Sequence, residues 1–276
     1  MGPQLAVVVP SIGRARAQET VESIAASARA GDVTIEIALA WQSPDTPPAL
    51  PDFAHAVEVL PLGVSYAKNR ALATLSAPLV GFVDDDELVD PGWAAGVVSA
   101  FADNPDVDAV FGAIAPLDDR GLPYCHFEGG EERRFSDAST PPWIVGAGGN
   151  MAVRRAALER VGGFDVVFGP GTLALCADDT DLVVRLLRAG KQILWTPDAV
   201  VYHPSKTEQE RLDSRRPYGW GMGKVVRRHR DLGNGVRYAG YGVQSFLTGV
   251  VRRNRRRRRE AGSRSGQRFS RAPTPH

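Results

Sequence analysis

From residue 4 to residue 83 the chain alternates short, largely apolar runs with segments whose apolar residues recur at helical spacing. The runs are residues 4–9, 33–40, 56–60 and 79–83. Between the first two, Val21, Ile24, Ala25 and Ala28 form a helical stripe that Gly31 is placed to cap. Before the fourth, Ser65 offers an N-cap to a helix carrying Ala67, Ala71, Leu72 and Leu75, which Pro78 stops. After it, Asp90-Pro91 opens a third helix with Trp93, Val97 and Phe101 as its buried stripe. Strands that are apolar throughout are buried on both faces, and strands joined by helices run parallel. The alternation therefore predicts an α/β protein with a mostly parallel central sheet and helices on both faces. Ligands of such sheets bind beyond the carboxyl ends of the strands, so the residues that follow each run matter most.

Downstream the pattern loosens. Residues 107–114 read as a further strand and 116–142 as a loop-rich stretch. Gly146-Ala147-Gly148-Gly149-Asn150 is a turn before a short helix over 154–161, and a second loop spans 162–177. Leu182, Val183, Leu186 and Leu187 mark a helix ended by Gly190. The last strand candidates are 193–195 and 199–202, followed by His203-Pro204.

The net charge of +1 over 276 residues hides an uneven distribution. Residues 1–205 hold 14 Lys/Arg against 27 Asp/Glu, whereas residues 206–276 hold 19 against 5. This division predicts a catalytic body over 1–205 and a basic C-terminal extension over 206–276, partly helical or disordered, that serves attachment. Tyr218-Gly219-Trp220-Gly221-Met222-Gly223-Lys224, an apolar patch at 243–251 and seven arginines within 252–259 suit an anionic membrane surface. Each cation near such a surface adds about 1 kcal/mol. Nucleic acid is the alternative partner for the same charge, and residues 261–276 read as a disordered end. Two cysteines, Cys125 and Cys176, make neither a disulfide framework nor a zinc spacing. The opening apolar run is too short for a signal peptide or a membrane span. The expected location is cytoplasmic, peripheral on the inner face of the plasma membrane.

Three acidic groups carry the chemistry. Asp84-Asp85-Asp86 follows an apolar strand, where three carboxylates repel unless a cation neutralises them. Hard divalent ions take oxygen ligands and share them with substrate phosphates, although a solvated acidic turn is the alternative. Asp178-Asp179-Thr180-Asp181 opens an amphipathic helix, where one acid suffices as a cap. A second, crowded by like charge, has the makings of a general base. His203 also follows a strand and is either a metal ligand or a structural histidine. Lys68-Asn69-Arg70 places cations in a helix's first turns, where phosphate binding would explain them better than the dipole does.

Taken in order, these motifs resemble glycosyltransferase family 2, inverting enzymes of the GT-A fold (Rossmann-like), over residues 4–203. Val7-Val8-Val9-Pro10-Ser11-Ile12-Gly13-Arg14 is similar to the family's opening strand and nucleotide-contacting turn. Ala67-Lys68-Asn69-Arg70 resembles its Ala-Arg-Asn helix start, and Asp84-Asp85-Asp86 its Asp-X-Asp motif, with Asp90-Pro91-Gly92-Trp93 after it. Residues 149–155 and Gly162-Gly163-Phe164-Asp165 resemble the donor-sugar and acceptor-side segment. Asp178-Asp179-Thr180-Asp181-Leu182 resembles the Glu-Asp-X-Asp-Leu motif, and His203 falls where many members carry a metal-binding histidine.

The resemblance implies a nucleotide-binding half over 1–115 and an acceptor-side half over 116–205. Pro10, Ser11, Arg14, Trp41, Lys68, Asp84, Asp85 and Asn150 would contact a nucleotide-diphosphate sugar. Asp86 and His203 would hold Mn²⁺ or Mg²⁺, which stabilises the leaving group. Asp179 would take the proton of the acceptor hydroxyl, with Asp178 and Trp143 on the acceptor side. The acceptor would be a lipid-linked glycan or a small molecule. Two departures stand out: Ala40-Trp41-Gln42-Ser43 lacks the family's base-contacting Asp after the second strand, and Asp178 replaces Glu. Trp41 is then the candidate for stacking on the base, a core tryptophan being the alternative. A non-catalytic GT-A-like sugar-binding protein and a nucleic-acid-binding protein are the rival readings.

Overall fold

The computed structural model describes residues 2–119, 130–231 and 233–240. In chain order the elements are β1 (Leu5–Ser11), α1 (Ala17–Ala30), β2 (Ile35–Trp41), β3 (Ala54–Glu58), α2 (Val64–Leu72) and β4 (Leu79–Phe82). There follow β5 (Leu88–Val89), α3 (Trp93–Asp103), β6 (Ala109–Pro116), β7 (Arg133–Phe135), β8 (Met151–Arg154) and α4 (Arg155–Arg160). The described part ends with α5 (Asp178–Arg188), β9 (Ile193–His203), α6 (Glu208–His229) and a helical segment at 233–240. Residues up to Arg230 form one compact unit, α6 included, and those from Asp231 a second. The apolar patch at 243–251 and the arginine run at 252–259 lie outside the described residues, as do residues 120–129 with Cys125.

A central, mostly parallel sheet organises the first unit, in the order β3-β2-β1-β4-β8-β6-β9-β5, with β7 also pairing with β9. From β3 to β4 every pairing is parallel. Side chains alternate across β1: Leu5, Val7 and Val9 pack with Val21 and Ile24 of α1 and Trp93 and Val97 of α3. Ala6 and Val8 face the other way, into a layer with Phe82, Phe111, Leu158, Leu182 and Leu186. Both faces are therefore covered, as the apolar runs predict.

Local expectations need correction or addition at four places. Ser65 does not cap α2: Gly63 occupies that position, and the buried Ser65 hydroxyl donates to the Phe168 carbonyl instead. Residues 151–154 form the central strand β8, antiparallel to both β4 and β6, for which there was no expectation, and the helix expected over 154–161 follows it as α4. The run Met-Ala-Val-Arg is too short to reveal its period. The strands expected at 193–195 and 199–202 are one strand, β9, whose pairing with β6 shifts register between Gly112 and Ala113. Lastly, the two-residue β5 pairs with β9 and had no expectation at all.

The register shift has a definite cause. Asn150, only 2% exposed, inserts its carboxamide there and donates to the carbonyls of Ala113 (2.7 Å) and Ala199 (2.8 Å). Its own oxygen accepts from the Trp93 indole at 2.9 Å. A side chain on Gly112 would collide with the Ala199 carbonyl. One amide thus satisfies backbone groups that the interrupted ladder leaves over.

Candidate active site

At the carboxyl edge of the sheet, β1 ends in Ser11 and β4 runs into Asp84-Asp85-Asp86. The three aspartates diverge. Asp85 turns inward and is 5% exposed; the Ser11 hydroxyl donates to it at 2.6 Å, and Arg14 lies 3.2 Å from its other oxygen. Burial pushes its carboxyl up to about 6, against the stabilising pull of Ser11 and Arg14. Asp86 is half-buried and pairs with the same Arg14 guanidinium. Asp84 faces Lys68, and burial raises it above the ordinary carboxylate range while the Lys68 ammonium opposes the shift.

Gly13 makes this turn possible. Its φ is +90°, and a Cβ there would lie 2.7 Å from the Ser43 side chain. Trp41, in the next strand, is 5% exposed, packs in the core, and donates its indole N–H to the Asp45 carbonyl at 2.6 Å. Pro10 is buried within β1. Neither of these two residues presents an open face.

Across the edge, α5 begins with Asp178 and Asp179. Lys68, 2% exposed, donates from Nζ to Asp178 at 2.8 Å and lies over the rings of Phe82 and Phe164. Burial would depress this ammonium, but Asp178, Asp84 and Asp179 outweigh it and raise its pKa. Lys68 is therefore a cation beneath the edge, joining the β4 aspartates to α5, rather than an exposed group. Asp179 accepts from the backbone N–H of Gly148 at 2.9 Å and of Thr180 at 2.6 Å. Burial first, and then Asp178, push it up to about 6. A Cβ on Gly148 would lie 2.9 Å from that of Asp179, so glycine permits the close amide.

His203 ends β9 with Nε2 4.0 Å from Asp86 and Nδ1 2.7 Å from the Pro204 carbonyl. With the proton on Nδ1, donated to that carbonyl, Nε2 presents its lone pair on the Asp86 side. Trp143 is half-buried in a 3₁₀ turn at Pro142–Ile144. Asn150 is occupied by the three bonds described above, apart from the open edge. The neighbouring Arg154 and Arg155 guanidinium groups also bind backbone carbonyls, those of Val107 and Ala77. Among the described residues there is no group of three or more His, Cys, Asp or Glu arranged to hold a metal ion. Asp86 and His203 bring two donors together.

Glu87 was missing from the expected site. It is 1% exposed, accepts from the Asp84 N–H at 3.0 Å, and burial pushes its carboxyl well above the ordinary range. The signal was available as a fourth consecutive acid, at the position where a tight turn folds back on the first. The Gly148 N–H carried no such signal, since 31 residues separate it from Asp179.

The profile described as glycosyl transferase family group 2 matches residues 79–254. The chain belongs to that family. It is 29% identical over 178 residues to a pre-mycofactocin glycosyltransferase of Mycobacterium tuberculosis, covering 61% of this chain and 36% of that protein. It is 25% identical over 149 residues to a glucosyl-dolichyl phosphate glucuronosyltransferase of Haloferax volcanii, covering 51% of this chain and 47% of that one. The chain thus spans between a third and a half of the length of these relatives. Among solved structures, it is similar to a mannosyltransferase from Pyrobaculum calidifontis in complex with GDP-Man and Mn²⁺. The TM-score is 0.58 at 21% identity, over 82% of this chain and 65% of the other. Staphylococcus aureus TarS 1–349 in complex with UDP-GlcNAc gives 0.54 at 18% identity, over 74% and 59%. The fold is that of the GT-A glycosyltransferases.

Proposed function

We propose that this family member transfers a sugar from a nucleotide-diphosphate donor to an acceptor hydroxyl in one inverting displacement. The observation that carries the reading is the meeting of two acidic motifs 92 residues apart, Asp84–Asp86 and Asp178–Asp179, around one buried lysine. Similarity to proteins solved with GDP-Man and with UDP-GlcNAc supports a nucleotide-sugar donor and leaves its base open.

In this reading Asp179 accepts the proton of the acceptor oxygen. That oxygen forms a bond to the anomeric carbon as the bond to the diphosphate oxygen breaks, and the electron pair leaves with the diphosphate. A carboxyl near 6 is largely ionised at neutral pH and more basic than an ordinary aspartate, which suits this role. The backbone amides of Gly148 and Thr180 hold it in place. Ser11 and Arg14 orient Asp85 and Asp86 on the donor side, while Asp84, tied electrostatically to Lys68, is placed towards the nucleotide.

Asp86 and His203 would hold Mn²⁺ or Mg²⁺; a carboxylate oxygen is the ligand type these ions take. Arg14 already pairs with Asp85 and Asp86, which supports a cluster that takes positive charge. Bound there, a divalent ion supplies Lewis-acid stabilisation of the leaving diphosphate. Catalysis belongs to the acidic body over 1–205, and the basic extension from 206 attaches it to the cytoplasmic face of a membrane. The acceptor is a lipid-linked glycan or a small molecule; no helix among the described residues is long and apolar enough to cross a membrane.

A thermal-shift panel of UDP-, GDP- and dTDP-sugars, each with Mn²⁺, Mg²⁺ or EDTA, tests the donor side. One nucleotide class should raise the melting temperature in a metal-dependent way, and Asp86→Ala should abolish the shift. No shift with any donor at saturating metal would refute the donor assignment.

A further inference from the structure

We infer that the loop over 162–177 and the outer face of α6 together form a docking surface for an anionic lipid bilayer. The loop holds Leu173 78% exposed and Leu175 47% exposed. Leu175 sits at φ +67°, a left-handed conformation that a leucine adopts only at a cost. On α6, Leu212, Arg216 and Trp220 recur every four residues and Arg227 follows seven later, so all four share one face. Leu212 is 44% and Trp220 53% exposed, while Gly221, Met222 and Val225 are the buried side of the helix.

The two elements are joined into one surface. The Trp220 indole donates to the Leu173 carbonyl at 3.0 Å, and the Cys176 thiol donates to the Pro217 carbonyl at 3.3 Å. Apolar side chains are thereby fixed next to cations. From Ser214 to its end α6 carries five Lys/Arg and no acid, and Lys224 stacks on the Trp220 ring at 4.9 Å. Exposed leucines and a tryptophan bordered by arginines fit a bilayer interface, where the ring and alkyl groups enter the headgroup layer and the cations meet anionic lipid. The charge decides between occupants: a neutral apolar partner would leave Arg216 and Arg227 unmatched.

This surface is folded and separate in sequence from the arginine run at 252–259. The loop leads directly through Ala177 into Asp178 and Asp179. On the proposed function, docking would therefore bring the base to acceptors displayed at the membrane. The docking deepens the membrane attachment proposed for the extension from residue 206 and is independent of the catalytic part of that reading.

The test uses the full chain with phosphatidylcholine vesicles, with and without phosphatidylglycerol, made with brominated acyl chains that quench tryptophan at the interface. Anionic vesicles should quench the wild type, and Trp220→Phe should lose most of that quenching. The pair Leu173→Ser/Leu175→Ser should weaken partitioning roughly tenfold or more. Arg216→Glu/Arg227→Glu should weaken it for anionic vesicles only. All substituted side chains are exposed, so unchanged melting temperatures provide the folding control. The inference fails if the wild type shows no vesicle binding, or if quenching survives in Trp220→Phe. It also fails if the leucine pair raises the KM for a soluble acceptor without changing partitioning. Because vesicle binding is read without donor or turnover, it succeeds or fails independently of the donor thermal-shift result.

Discussion

The carboxylates at the end of β4 and those at the start of α5 face one another across Lys68, and they are held by different chemistry. On the strand side, Asp85 and Asp86 are met by side chains, the Ser11 hydroxyl and the half-exposed Arg14 guanidinium. On the helix side, Asp179 is held by two backbone N–H groups. A flexible arginine can move aside for another cation or turn towards a phosphate. The backbone amides of Gly148, in a 3₁₀ turn at Gly148–Asn150, and of Thr180, in α5, cannot. The difference teaches that one cluster is built to exchange partners and the other to hold an orientation, although Asp85 and Asp179 both lie near 6 for the same first reason, burial.

The comparison breaks most severely at Asp179. Asp179→Asn keeps the shape and removes the proposed base, so transfer measured by product formation should fall by about 10²–10⁴-fold. The donor-induced thermal shift should survive, whereas in Asp86→Ala it should be lost. Equal loss of both in both variants would mean that the two clusters do not divide the work.

Next in size is the lysine between them. Lys68→Met should leave the Asp178 carboxylate buried without its ion partner and destabilise the fold by about 3–5 kcal/mol in urea unfolding. A cost near zero would show that Asp178 reaches solvent once Lys68 is gone.

The pH dependence sharpens the contrast. Asp85 and Asp179 bind protons more tightly folded than unfolded, so between about pH 4 and 6 the native state holds more protons. Their contribution to stability is fully present below pH 4 and declines as pH rises through 6. The rate should move oppositely, climbing through about pH 6 as Asp179 ionises. Asp85→Asn should reduce the stability slope and leave that rate inflection in place.

The smallest effect is expected at Ser11. Ser11→Ala removes one hydrogen bond to a carboxylate, about 1.5–3 kcal/mol at most. It should raise the Asp85 pKa further while leaving Asp179 unchanged, measurable by carboxyl-resolved NMR titration.

The parallel half of the sheet was readable because β1, β4 and the Ile37–Trp41 part of β2 are buried on both faces and apolar almost throughout. In the other half β6 and β9 were expected, whereas β5, β7 and β8 were not. Met151–Arg154 is four residues of central strand next to a glycine-rich turn, and tertiary pairing with β4 and β6 decides its state. At the site, Asp84–Asp86, Asp178 and Asp179 were singled out because acids after a strand and at a helix start are unusual enough to need an explanation. Lys68 was singled out too, but its burial beneath the carboxylates was invisible, because its partner Asp178 lies 110 residues away. Trp41 shows the limit in the other direction: its identity left a stacking platform and a core tryptophan open, and the Asp45 carbonyl and the surrounding core favour the second.

Asn150 has a consequence for anyone recombining members of this family. Its three bonds reach Trp93 of α3, Ala113 of β6 and Ala199 of β9. A chimera that joins the first 115 residues of this chain to the remainder of another must import a side chain able to make all three. Without it, the crossover would leave the Ala113 carbonyl, the Trp93 indole and the Ala199 carbonyl without the amide that ties them, and the acidic clusters on either side of the graft would no longer be held at one edge.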